Sequence, residues 1–315
     1  MAPEPTWQGI PIEIKELFVA YIDYKTRCRL RRCSKSERDL VDACPIVARL
    51  VSLDLDSNKL KIVQAGASVI IRDEIIDNFC KFFKQKDAKT RSVSLRWDSL
   101  NNTAIAEDLI SKMETLPSIK ARNISLSMRE ISEQELRQII PVFDSNFVKS
   151  MGVEPKLSSE AAEYLIGTDC WKNVKSVIWH EHTDIKIDAF LHMDIFCASI
   201  NTLTAVDTWN VINTFINKES LKRQLNAGEG FIVDYEQGPT EEQIVAEFKV
   251  APRRVENPRH ETDPNKSKYK YHFHTKTNGV FLVVELEVDQ SAFGVQHKLY
   301  GFICEEGERE SICFR

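Results

Sequence analysis

Near the start of the chain, apolar residues recur with helical spacing. Ile14, Leu17, Phe18, Tyr21 and Ile22 fall at i, i+3, i+4, i+7 and i+8, which gathers them on one face of a helix. Pro11 stands where that helix begins, and there its missing N–H costs nothing. Arg27, Leu30 and Cys33 mark the start of a second helix. Ser36 and Asp39 have capping-box spacing for a third, whose inner face is Leu40, Val41 and Cys44 and which Pro45 stops. A bundle this small buries little apolar surface, so it has to lean on the rest of the chain or on a partner.

Beyond it the period changes. Val51 to Leu55 and Leu60 to Val63 alternate as strands do, and Ile75, Ile76, Phe79, Cys80 and Phe83 then mark an amphipathic helix. Short strands and helices go on alternating. Ser92 to Trp97 precedes a helix from Thr103 to Leu116, and Arg122 to Met128 precedes one capped by Ser132 and Glu135 and ended by Pro141. Val148 to Val153 precedes Ser159 to Leu165, and Val174 to Trp179 precedes Ile187 to Met193. Phe196 to Ile200 precedes a helix from Ala205 to Ile216, with Val206, Trp209, Ile212 and Ile216 inward.

The strand starts are spaced by roughly 20 to 30 residues, the range of leucine-rich repeats. The asparagine ladder and the strict leucine signature are missing, so the repeat is one of structure: a curved strand–helix array with a parallel sheet. A doubly wound sheet is the alternative, and the lack of a glycine-rich turn after any strand favours the array. In the last part of the chain, Thr240 and Gln243 cap a helix carrying Ile244, Val245 and Phe248, and Val255 to Lys268 reads as an exposed loop. Tyr269 to Thr275 and Val280 to Val288 form a hairpin about Asn278-Gly279, with one more strand from Phe293 to Cys304. The expected fold is therefore α/β in three parts. Residues 1–48 form the helical bundle, 49–235 the curved leucine-rich-repeat-like array, and 236–315 a helix with an antiparallel β-hairpin region.

With 315 residues, 43% apolar and 28% charged, the composition is that of a globular protein. A net charge of −5 argues against a nucleic-acid partner. No stretch approaches the run of about 20 apolar residues that a membrane span needs, and Met1 to Trp7 lacks the basic and apolar regions of a signal peptide. The eight cysteines form no CxxC pair and read as reduced, buried small hydrophobes, which points to the cytoplasm or nucleus.

No catalytic motif is present, neither a glycine-rich phosphate loop nor HExxH nor GxSxG, and no enzyme, catalytic residue, metal or cofactor is expected. His180 with His182 and His272 with His274 have the spacing a metal could bridge, but no cysteine or carboxylate set completes either pair, and they read as exposed strand histidines. Lys81, Lys84, Lys86, Lys89 and Arg91 read as a solvated helix end, with an acidic partner as the alternative. Glu305, Glu306, Glu308 and Glu310 read as a solvated acidic face.

Two resemblances organise these patterns. Ile10-Pro11, Ile22-Asp23, Leu30 and Cys33-Ser34 stand where an F-box has Leu-Pro, Leu-Asp, an apolar residue and Val or Cys before Ser, and Arg38 to Pro45 is similar to the nematode branch of that family. Ile10 departs from the usual Leu, and Glu37-Arg38 stand where a Trp is common. Further on, Ile139 to Asp144, Trp171 to Val177, His192 to Phe196 and Leu203 to Asp207 occur in the order of the FTH domain, which follows the F-box in that branch. This second resemblance spans roughly residues 90 to 235, with Val174 and Met193 as departures.

What the resemblance implies is a substrate receptor of a Skp-cullin-F-box ubiquitin ligase. It would bind the Skp adaptor, and a cullin through it, by the F-box, and a substrate protein by the FTH-like domain. The candidates for the adaptor patch are Pro11, Ile14, Leu17, Phe18, Ile22, Leu30 and Cys33, shared between the adaptor and the bundle's interior. A non-degradative scaffold or sequestering adaptor built from the same modules is the alternative, and a hydrolase with a hidden site is a third class without a supporting nucleophile pattern.

Overall fold

The structure, a computed structural model, describes residues 6–64, 67–85, 87–97, 99–129, 131–218, 230–255, 266–277, 279–291 and 294–305. Asn278 of the expected hairpin turn, most of the expected loop, Lys86, Phe293, Glu306, Glu308, Glu310 and Cys313 lie outside these residues. The chain divides into two compact units, 1–155 with 168–173 and 156–167 with 174–315.

In the first unit three helices lead: α1 (Ile12–Tyr21), α2 (Tyr24–Leu30) and α3 (Lys35–Ala43). Asp23 caps α2 by accepting the Thr26 N–H at 3.0 Å. That helix therefore starts before Arg27 and ends before Cys33, earlier than the spacing of Arg27, Leu30 and Cys33 suggests. Ser34, not Ser36, caps α3, accepting the Glu37 N–H at 3.1 Å. The residue preceding the first helical position has the extended backbone that turns its side chain onto the free N–H groups, and here that residue is Ser34.

The α/β part follows with β1 (Val47–Asp54), β2 (Lys59–Gln64), β3 (Ala67–Ile71), α4 (Ile75–Phe83), β4 (Lys89–Trp97), α5 (Ser99–Glu114), β5 (Lys120–Met128), α6 (Glu133–Ile139) and β6 (Ser150–Val153). The strand order is β6-β5-β4-β1-β2-β3. β1, β4, β5 and β6 are parallel neighbours in chain order, and β2 and β3 add antiparallel strands at the edge. Val51, Leu53, Val93, Leu95, Ile124, Leu126, Met151 and Val153 are buried, together with Phe79, Phe82, Leu109, Met113, Leu136 and Ile139 from the helices. The Ser132–Glu135 capping box forms as expected. Ile139 hands over to a 3₁₀ turn, Ile140–Val142, which contains Pro141.

Next in the chain come α7 (Ser159–Gly167), in the second unit, and α8 (Asp169–Asn173), in the first. The second unit continues with β7 (Ser176–Thr183), β8 (Ile195–Thr202), α9 (Ala205–Asn217), β9 (Gly230–Gln237), α10 (Glu241–Glu247), β10 (Arg253–Val255), β11 (Lys266–His274), β12 (Val280–Ser291) and β13 (Gly294–Glu305). Its strand order is β10-β11-β12-β13-β9-β8-β7. β7, β8 and β9 are parallel, and from β9 through β13, β12 and β11 to β10 every pairing is antiparallel. Strand β9 joins the two regimes, so the C-terminal strands extend the sheet that β7 and β8 begin. Gly279 has φ +74°, a left-handed conformation that glycine adopts without strain, at the turn into β12.

The core of this unit is aromatic. Trp179, Phe190, Phe196, Phe215, Phe231 and Phe273 are all fully buried. Thr204 with Asp207 and Thr240 with Gln243 form capping boxes on α9 and α10. Trp209, Ile212 and Ile216 of α9 point inward, but Val206 is 53% exposed. It sits in the first turn, on the spacing of the buried stripe but ahead of its first buried residue, Thr208. The expected helix at Ile187 to Met193 shrinks to a 3₁₀ turn, Ile187–Phe190.

Candidate functional site

The N-terminal bundle has its own small core. Val19, Leu40, Val41 and Cys44 are buried together, with Trp7 and Leu30 packed against them. Val19 is the one buried residue of α1. The stripe that helical spacing picks out faces the other way: Ile14 is 53%, Leu17 58%, Phe18 52% and Tyr21 76% exposed, and Ile12 and Pro11 are exposed beside them. Of the remaining candidates for the adaptor patch, Cys33 is exposed, while Ile22 and Leu30 are half-buried. So α1 turns its long apolar side chains to solvent. A groove of about 470 Å³ runs beside Leu17, lined by Glu13, Glu16, Ala20, Ala43, Cys44 and Pro45. Exposed apolar patches rimmed by polar groups are what protein-binding surfaces look like.

A buried arginine holds this surface in place. Arg27 is 1% exposed. Its Nη1 donates to the carbonyls of Val19 at 2.9 Å and Pro45 at 3.2 Å, and its Nη2 to those of Cys44 at 2.8 Å and Val41 at 3.2 Å. The last two are carbonyls at the end of α3, which no further helical turn satisfies and where the helix dipole is negative. One guanidinium thus ties α1, α2 and the end of α3 together. Burial works against its charge, but an arginine stays protonated at neutral pH. The ring of Tyr24 lies 5.9 Å from that of Phe82 and joins the bundle to α4. Burial, with the Cys28 thiol close by, raises the Tyr24 phenol well above its usual range.

Trp7 covers the other side. Its indole N–H donates to Glu37 at 2.6 Å, its ring meets that of Phe18 edge-on at 5.5 Å, and the Lys15 ammonium stands 5.5 Å from it. The place where an F-box commonly carries Trp is held here by Glu37, and Glu37 recruits a Trp from the other end of the bundle. The Ser34 hydroxyl, then the Trp7 indole, hold the Glu37 carboxyl below its ordinary range. A depressed carboxylate pKa stabilises the fold above the unfolded value, and that contribution is lost as pH falls through the folded value. The difference in urea midpoint between wild type and Glu37→Gln is therefore expected to be present at pH 7 and to close by about pH 3. A difference that stays constant between those pH values would show that the charge on Glu37 plays no part.

The remaining chemistry is sparse. His180 and His182 are exposed, with His182 Nδ1 3.2 Å from the Ile200 carbonyl oxygen, and the ring of His274 lies 4.6 Å from that of Phe281. Among the described residues no group of three His, Cys, Asp or Glu could hold a metal. Cys44, Cys80 and Cys170 are buried, and burial pushes the Cys170 thiol up to about 11. Cys33 is exposed, however, and Cys28, Cys197 and Cys304 are only half-buried, so four of the described cysteines are not the core residues expected. A cleft of about 590 Å³ lies between the start of α9 and α10, with Thr202, Thr204, Gln237, Gln243 and Glu247 on its walls and no nucleophile–base pair among them. No helix among the described residues is long and apolar enough to cross a membrane.

A rigid helical bundle with an uncovered apolar face, fixed to an α/β body, is the build of a protein-interaction module. Residues 7–49 match the family model of the F-box domain, and residues 103–227 match that of the FTH domain. The chain therefore carries an F-box domain followed by an FTH domain. No curated protein matches it. One solved structure, a S-adenosylmethionine-dependent methyltransferase from Clostridium acetobutylicum ATCC 824, is similar over 70% of this chain and 68% of that one. Identity is 11% and the TM-score 0.14, too slight to support any inference.

Proposed function

We propose that this protein is the substrate-recognition subunit of a Skp-cullin-F-box ubiquitin ligase. Its F-box would bind the Skp adaptor through Pro11, Ile14, Leu17, Phe18, Ile22, Leu30 and Cys33, and the adaptor would bring the cullin. The FTH domain would present a target protein, and the transfer chemistry would belong to other subunits, so the chain itself is read as a non-enzyme working inside the cell. The observation that carries this reading is the direction of α1, whose apolar face is left uncovered while Val19 alone serves the core. Repeat character in the strand–helix units is part of the same reading, supported by parallel neighbours that follow one another in chain order.

Co-purification with the Skp adaptor tests it. Wild type is expected to retain the adaptor, and a Leu17→Asp, Phe18→Asp double variant to lose it, with at least a ~100-fold drop in affinity, since two charges would enter an apolar interface. Both side chains are more than half exposed, so the variant should keep its melting behaviour. Equal retention by the two proteins would refute the assignment of this face. Adaptor binding with no cullin in the complex would favour a sequestering role instead.

A further inference from the structure

The parallel strands of the first unit repeat one pattern of exposure. In residues 48–53, 90–95, 121–126 and 148–153, a buried position is followed by an exposed basic residue, then by half-buried, buried, half-buried and buried positions. The basic residues are Arg49, Arg91, Arg122 and Lys149. Register sets them in one row. Ala48, Thr90 and Ala121 pair on one side of it, and Leu50, Ser92 and Asn123 on the other. Lys149 closes the row by donating its N–H to the Arg122 carbonyl at 2.7 Å. With strands about 4.8 Å apart, the row crosses ~14 Å of sheet. Like charges side by side on neighbouring strands oppose pairing. None of the four forms an ion pair with another described residue, whereas nearby Lys81 pairs with Glu74 and Lys120 with Asp87. No ion pair with a described residue thus offsets the repulsion along the row.

We propose that this row binds an extended, Asp/Glu-rich segment of a partner protein. Charge complementarity is the first reason, and it is local, because the whole chain has a net charge of −5. The cations are spread along a line and do not converge on a point, which suits carboxylates spaced along a chain better than one dianionic phosphate. An extended peptide places same-side carboxylates about 6.6 Å apart, so two or three match the row. Apart from Leu50, the next positions along the strands are mostly short and polar. They include Ser92, Ser94, Asn123 and Ser125, with the Asn123 amide donating to the Ser92 hydroxyl at 3.2 Å. They provide no aromatic ring for a base to stack on, which counts against single-stranded nucleic acid as the occupant. The inference uses the first unit's sheet alone and stands whether or not α1 binds an adaptor.

Fluorescence anisotropy with a labelled octaglutamate peptide and the full-length chain tests it. Saturable, salt-sensitive binding is expected, weakened by about tenfold in Arg91→Ser, Arg122→Ser and less in Arg49→Ser or Lys149→Ser alone. Arg29→Ser, Arg32→Ser removes the same charge from an exposed stretch of the bundle and should leave binding unchanged. Circular dichroism melting confirms that each variant is folded, and the single end variants decide the matter should the central pair misfold. The proposal is overturned by a wild type that does not bind, by variants in the row that bind like wild type, by an equal loss in the bundle control, or by tighter binding of oligouridine than of octaglutamate.

Discussion

Arg27→Ala is expected to unfold the N-terminal bundle while the α/β part of the chain stays folded. The substitution strips the donors from four carbonyls, those of Val19, Val41, Cys44 and Pro45. Those of Val19, Val41 and Cys44 accept buried hydrogen bonds. A buried acceptor left without a donor costs about 1–3 kcal/mol, and a cavity adds to the loss. A total of ~4 kcal/mol exceeds the margin that a four-residue core with two flanking side chains can supply. Arg27→Lys should fall in between, since one ammonium can reach only some of the four carbonyls that the fork spans. Hydrogen exchange resolved along the chain checks this. Protection should vanish over 12–43 in Arg27→Ala and persist in the sheets. Wild-type protection in the bundle would mean that the four contacts are incidental. Adaptor binding should fail along with the bundle although no surface residue has changed, which separates this variant from one altered at Leu17 and Phe18.

Why Arg27 escapes a reading of the sequence is instructive. Its carbonyl partners lie 8 to 18 residues away, and a carbonyl leaves no mark in sequence. Periodicity sees only an arginine on a short basic helix. The same limit applies to α1. Spacing correctly gathers Ile14, Leu17, Phe18 and Tyr21 on one face, but it cannot tell a face covered by the chain from one left for a partner. Local chemistry reads better. Capping boxes at Ser132 and Thr240, the inward face of α4, and the alternation in β1 and β2 form as expected, because each depends on neighbours within a few residues. Three strands are additional to those expected: β3, β9 and the three-residue β10. Ala67–Ile71 is a short edge strand whose apolar run lacks clear alternation, whereas Gly230–Gln237 carries that alternation openly in Phe231, Val233 and Tyr235. The basic row depends on register, which relates residues some 30 to 40 positions apart and becomes visible only once the strands are aligned.

Gly301→Ala is expected to destabilise the second unit by about 2–3 kcal/mol, and Gly301→Val by more. Gly301 on β13 stands opposite Phe231 on β9. A Cβ there would fall 2.2 Å from two carbons of the Phe231 ring, far inside contact distance. The ring has nowhere to go. It stacks on Phe196 at 5.9 Å and meets Phe215 at 4.9 Å, and all three are buried. Moving it would disturb the junction where the parallel strands β8 and β9 meet the antiparallel β13. Glycine is therefore required for space rather than for an unusual backbone, and that makes the effect suppressible. Phe231→Leu alone should cost ~1–2 kcal/mol for the vacated volume, yet in the Gly301→Ala background it should restore stability by removing the colliding ring. A double-mutant cycle on Tm or urea midpoint should give a coupling of at least ~1 kcal/mol of the compensating sign. Additive losses would show that the sheet relaxes around the added methyl group without involving Phe231. Such a result would place the strictest packing constraint of this unit elsewhere in its aromatic core.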